Sequence, residues 1–232
     1  MSPGSFDQLV ARARRLVAGN GRAVLGITGP PAAGKTTLAE SLLAALAPAP
    51  PPGLPAGGWV AHVPMDGFHL ADVELERLGR RDRKGAPDTF DVAGYAALLR
   101  RLKEDEDEIV YAPGFERVIE QPIAGSIPVH RAARLVITEG NYLLVQDTAW
   151  RRVRAYLDEV WYTDLDQSER LRRLIERHVE FGKPPDQAVA WATGTDERNA
   201  EVIRATRDHA DLIVLLSGDL SAILEAPKPQ RS

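Results

Sequence analysis

Gly29-Pro30-Pro31-Ala32-Ala33-Gly34-Lys35-Thr36 fits the pattern G-x-x-x-x-G-K-[S/T] and lies between an apolar run, Ala23 to Ile27, and a helical stretch of about Lys35 to Leu46. Read as strand, glycine-rich loop and helix, this context gives each residue type a task. The glycines let backbone N–H groups converge on phosphate oxygens, and the new helix presents its positive end to them. Lys35 supplies a point charge, and the Thr36 hydroxyl suits Mg²⁺. The segment Gly29, Pro30, Pro31, Ala32, Ala33, Gly34, Lys35, Thr36 and Thr37 is therefore expected to bind ATP with Mg²⁺.

Outward from this loop, helices and strands alternate. Phe6 to Ala18 places Leu9, Ala13, Leu16 and Val17 at helical spacing, and Trp59 to Pro64 reads as a second strand after the proline- and glycine-rich connection at 48–58. Val92 to Leu102 has a helical pattern and leads through the acidic turn Lys103 to Glu108 to a short strand, Ile109 to Tyr111. Ala112 to Ala133 lacks clear periodicity and is expected to be an irregular excursion on the acceptor side carrying a short hairpin. Leu135 to Thr138, Glu159 to Thr163 and Leu212 to Leu216 are compact apolar runs of buried-strand type. The pattern predicts one α/β domain over residues 1–232, a three-layer P-loop fold with a parallel sheet of about five strands covered by helices on both faces.

Composition narrows the function. A formal charge of −4 argues against a general nucleic-acid binder, since a phosphate backbone is normally met by surplus basic residues. The absence of cysteine excludes disulfides, thiolate metal sites and a cysteine nucleophile. No apolar run is long enough to span a bilayer, and the charges Asp7, Arg12, Arg14 and Arg15 do not suit a secretory signal. A soluble, cytoplasmic protein is the expectation, with a small-molecule hydroxyl acceptor as partner, no nucleic acid, no membrane, and a homodimer left open.

The P-loop alone implies a nucleoside triphosphate without saying what is done with it. The second strand runs into Pro64-Met65-Asp66-Gly67-Phe68-His69, which sets Asp66 at the carboxyl edge of the sheet, where open α/β folds bind ligands. A carboxylate there can orient or deprotonate a hydroxyl, or else cap a turn. The order GPPAAGKTT, MDGFH, KGAPDTFD (Lys84 to Asp91), YAPGFER (Tyr111 to Arg117) and VITEGNYLL (Val136 to Leu144) resembles the uridine kinase, pantothenate kinase and phosphoribulokinase superfamily over about Val24 to Leu216. In texture it is nearest to a bacterial branch of nucleoside- or fructose-type kinases. The resemblance implies transfer of the γ-phosphoryl group of ATP to a small-molecule hydroxyl, with Asp66 as catalytic base and Glu139 in the metal and substrate environment. Gly67 stands where uridine kinases typically carry serine.

From Asp166 to Phe181 a helix carries Arg170, Arg173 and Arg177 on one stripe and Leu171, Leu174 and Ile175 on another. The resemblance implies a helical lid over about 166–206 whose arginines reach phosphate on closure, with Arg173 and Arg177 chosen over Arg170; on spacing alone the stripe also suits a solvated face paired with Glu169 and Glu176. His69, Tyr111 and Arg117 are the further candidates for the acceptor pocket, and His178 is read as packing or as catalytic. A P-loop NTP hydrolase coupled to a partner is the competing reading. Asp66 favours the kinase, and no Asn/Thr-Lys-x-Asp loop of GTPase type occurs.

Overall fold

The computed structural model describes residues 6–19, 21–54, 58–216 and 222–225. The helices are α1 (Phe6–Leu16), α2 (Lys35–Leu46), α3 (Asp72–Arg77), α4 (Val92–Glu104), α5 (Thr148–Arg154), α6 (Gln167–Glu180), α7 (Pro185–Thr193) and α8 (Thr195–Arg204). The strands are β1 (Ala23–Thr28), β2 (Val60–His62), β3 (Ile109–Glu116), β4 (Gln121–His130), β5 (Leu135–Glu139), β6 (Glu159–Asp164), β7 (Leu212–Leu216) and β8 (Ala222–Glu225). The main sheet has the order β2-β5-β1-β6-β7-β8. Its first five strands are parallel, and β8 adds an antiparallel edge that the sequence patterns do not signal.

Because alternate strand residues face opposite ways, the sheet divides the core in two. Val24, Val136, Val160 and Ile213 join α4, α5 and the base of β3–β4 on one face, while Leu25, Ile137, Trp161 and Val214 meet α1 and α2 on the other. All six residues of β1 are buried, as a central parallel strand requires.

Two expectations need correction. Ile109 to Tyr111 is the start of an eight-residue strand outside the main sheet, and most of the stretch expected to be irregular is the antiparallel hairpin β3–β4. Its alternation is hidden because a register shift between Ala112 and Gly114 moves residues between faces, and because most of β4 is exposed and carries little core pattern. The connection at 48–58 is described only in part, residues 55–57 lying outside the described residues.

Candidate active site

The ends of β1, β2 and β5 bring the site together. Ile27 stands in register with Glu139, and Thr28 with Tyr162, so the loop after β1 leaves the middle of the sheet flanked by two strand ends. Gly29 has φ 152° and lies so close to the Thr163 carbonyl that a side chain would overlap it. Ala32 holds φ 64°, a left-handed conformation unfavourable for a residue with a Cβ, and Gly34 at φ 85° precedes the first turn of α2. Lys35 folds back into this cradle, its Nζ donating to the carbonyls of Gly29 at 2.9 Å and Pro30 at 3.0 Å.

Beside the cradle, the Thr36 hydroxyl donates to Glu139 at 3.3 Å. The buried Glu139 carboxyl is pushed up to about 7, by burial first and then by the charge of Asp66, with Lys35 and the Thr36 hydroxyl opposing. Lys35 is pushed down to about 8, by burial first, with Glu139 opposing and Arg177 adding to the shift. A hydroxyl and a carboxylate oxygen side by side suit an octahedral, oxygen-seeking Mg²⁺ that keeps waters and phosphate oxygens as its other ligands. Among the described residues there is no cluster of three His, Cys, Asp or Glu side chains that could hold a metal ion.

Two glycines seat the proposed base. A side chain at Gly140 would overlap Met65, and one at Gly67 would overlap the Pro113 carbonyl, so the turn Met65–Phe68 is held between the end of β5 and the hairpin. Thr138 secures the approach, its hydroxyl donating to the Val63 carbonyl at 2.6 Å and pairing with the Tyr95 hydroxyl at 2.5 Å. Asp66 emerges near enough for its charge to act on both Lys35 and Glu139, and Arg117 of the hairpin approaches its carboxylate at 3.6 Å. His69 packs between Phe90 and Phe115 with tilted rings, at 4.1 and 4.8 Å between ring centres, and its Nδ1 lies 2.8 Å from the Asp66 carbonyl. Since a carbonyl only accepts, Nδ1 carries the proton, and burial holds the ring below the usual imidazole range and so neutral.

The arginine stripe of α6 splits in three. Arg170 is fully buried, donates to the Pro31 carbonyl at 3.3 Å and pairs with Glu197, which makes it a brace for the P-loop. Arg177 is half-buried with its guanidinium desolvated, close enough to influence Lys35, and forms no hydrogen bond or ion pair among the described residues. Arg173 is paired with Glu169 at 2.7 Å and is not brought to the P-loop. His178 is bound to Asp196 of α8 at 2.6 Å. Tyr111, more than half exposed, lines a groove of about 510 Å³ with Arg100, Arg101 and Glu104 and makes no hydrogen bond or ring contact with Asp66 or His69. The burial of Arg170 against the P-loop is not visible in sequence, because helical spacing sets which residues share a stripe and not how deep each one lies.

No family model matches the chain. A Schizosaccharomyces pombe protein with the provisional name uridine kinase is 32% identical over 224 residues, covering 90% of each chain. The chain belongs to the uridine kinase and phosphoribulokinase superfamily of P-loop kinases. A solved structure from Silicibacter sp. TM1040, provisionally a fructose transport system kinase, has TM-score 0.78 at 38% identity, covering 90% of this chain and 98% of that one. Phosphoribulokinase from Rhodobacter spheroides shares the fold at TM-score 0.60 and 10% identity, covering 91% of this chain and 82% of its own. This kinase is ATP-dependent. Among its described residues no helix is long and apolar enough to cross a membrane.

Proposed function

We propose that this kinase transfers the γ-phosphoryl group of ATP to a hydroxyl of a small molecule, with Asp66 as the base. The observation that carries the reading is Asp66 itself, a carboxylate at the edge of the sheet, electrostatically coupled to Lys35 and Glu139 while remaining partly open to solvent. The acceptor oxygen attacks the γ-phosphorus, its proton passes to Asp66, and the bond to the β,γ-bridging oxygen breaks to leave ADP. Lys35 and Arg177 stand where they can meet the charge on the transferring group, and Arg170 holds the loop that cradles it. Thr36 and Glu139 would hold Mg²⁺, which when bound neutralises phosphate charge. For Glu139 to serve, its carboxyl must lose its proton, which the neighbouring Lys35 charge favours.

A neutral His69 with Nδ1–H leaves Nε2 free of any hydrogen bond from the described residues, so it would accept one from a second donor on the acceptor. Arg117 would complete that pocket from the hairpin. Helices α6 to α8 would act as a lid, since Arg177 extends from them toward Lys35 and lacks a direct partner until phosphate is present. The test is ADP release on a panel of nucleosides, sugars, polyols and hydroxy acids against water alone. Equal release with and without every acceptor would overturn the phosphotransferase reading in favour of a hydrolase.

A further inference from the structure

Two guanidinium groups, Arg117 from the hairpin and Arg177 from α6, stand about Asp66. They are near enough that the charge of Arg117 is, after burial, the largest influence lowering the pKa of Arg177. The Arg117 side chain is 42% exposed while Arg177 is desolvated, and like charges brought together in this way favour an anion that joins them. Asp66 does not do this fully. Its contact with Arg117, at 3.6 Å, is the longest ion pair among the described residues, and Arg117 makes no hydrogen bond there. Of the neighbouring carboxylates, Glu116 accepts from the Val118 N–H, and Glu120 acts by its charge on His69; neither forms an ion pair with Arg117 among the described residues.

The two arginines differ in what lies beyond them. Arg177 acts on Lys35 together with Arg170, on the donor side of the cleft. Arg117 pairs with Asp66, acts on Glu139, and its guanidinium lies 6.0 Å from the ring centre of Phe181 at the end of α6. It therefore stands on the acceptor side. Its position depends on Gly67, whose missing side chain lets the backbone at Pro113 and Gly114 rest on the catalytic turn. A guanidinium held near the base, on the acceptor side, with its N–H donors unsatisfied by protein, suits a carboxylate or phosphate, which its planar fork binds with two parallel hydrogen bonds.

Building on the phosphotransferase reading, we infer that the acceptor is a hydroxylated anion, a hydroxycarboxylate or a sugar phosphate, and that Arg117 reads its anionic group while Asp66 takes the hydroxyl. Nucleosides, polyols and free sugars lack that group and would leave Arg117 unsatisfied, so they are expected to be poor acceptors.

Matched pairs test this: glycerate against glycerol, ribose 5-phosphate against ribose, and glucose 6-phosphate against glucose, with uridine alongside. ADP release and thermal melts with saturating Mg·ADP are measured for the full-length wild type, Arg117→Ala and Arg117→Lys. At least one charged member should exceed its neutral partner by roughly tenfold to a hundredfold in kcat/KM, the scale of one charge-assisted contact, and should raise the melting temperature. The carboxylate and phosphate arms distinguish the two sources of the anion. Arg117→Ala should raise the KM for that acceptor by about tenfold or more, leave the KM for ATP within about twofold and abolish the melt shift, with partial recovery in Arg117→Lys. A neutral compound that serves as well as its charged partner overturns the inference and leaves the phosphotransferase reading standing. So does a KM for ATP that rises with that of the acceptor, which would assign Arg117 to the nucleotide. If a neutral compound raises ADP release and no charged member does, the inference also fails. Failure of the phosphotransferase reading looks different, as ADP release indifferent to every acceptor, charged or neutral.

Discussion

The two walls of the cleft are built by different means. On the donor side, a contiguous octapeptide between one strand and one helix holds the glycines, the lysine and the hydroxyl, and the sheet buries β1 around it. On the acceptor side, Asp66, His69, Phe115 and Arg117 come from two separate stretches, joined where backbones touch. A local motif specifies phosphate binding because a loop of fixed length encloses a fixed shape. The proposed acceptor wall is a tertiary feature, assembled through the close approaches at Gly67 and Gly140.

If the donor wall acts through charge, Lys35→Ala should abolish measurable turnover while the fold persists. The buried ammonium is held below its ordinary range chiefly by desolvation, so its charged form is not a source of stability. The sign follows from linkage: between about pH 8 and the unfolded lysine range the unfolded chain binds more protons, so stability from this group rises with pH there and is lowest below about 8. A melting temperature in the variant equal to or above wild type at pH 7, with turnover lost, is the expected pair of results. A variant with normal kcat would remove Lys35 from the chemistry.

Asp66→Asn tests the acceptor wall at its closest point to the donor wall. ATP affinity should hold, and acceptor-dependent turnover should fall by about 10²- to 10⁴-fold, the range of general-base contributions. The loose transition state of phosphoryl transfer favours the lower end. A lowered melting temperature with near-normal transfer would reduce Asp66 to a turn cap.

How far each wall can be read from sequence follows from the same contrast. The P-loop, the helix opening at Lys35 and the five parallel strands are legible because periodicity and a local pattern agree with the topology they build. The hairpin is not, since Gly114 and the register shift break the alternation of β3 and solvent leaves β4 without a core face. Gly67 and Gly140 are visible as glycines beside acidic residues, but what they make room for, Pro113 and Met65, lies far away in sequence. The depth of Arg170 is likewise set by Pro31 and Glu197, neither of which its helix can announce.

Gly67→Ser sharpens this point, because it restores the residue type of uridine kinases at the contact between turn and hairpin. The new side chain must displace the Pro113 backbone. Overpacking of this kind typically costs about 1–3 kcal/mol, so the melting temperature should fall. The functional signature is the more telling one: the KM for the acceptor should rise while the KM for ATP does not, since the displaced hairpin carries Arg117 and not the P-loop. Kinetics with both substrates on one preparation separate the two, and an unchanged acceptor KM would mean that the hairpin position is not part of the pocket.

The smallest effect is expected within the arginine stripe itself, where three residues of one helix face are placed in three different settings. Arg177→Ala should lower kcat more than it weakens ADP binding, because its guanidinium has no direct partner until the transferring phosphate supplies one. Arg173→Ala removes an i,i+4 pair with Glu169 that is about one-third exposed on both sides, a contact of the class worth only about 0.3–0.5 kcal/mol. Its melting temperature should change little, and kcat should stay within about twofold of wild type if α6 keeps its present rotation during turnover. The stripe read from sequence treats Arg173 and Arg177 as equals, so this pair decides how much the helix moves. A loss in Arg173→Ala as large as that in Arg177→Ala would require Arg173 to leave Glu169 and reach phosphate in the closed state, and α6 would then have to turn about its own axis as well as approach the P-loop.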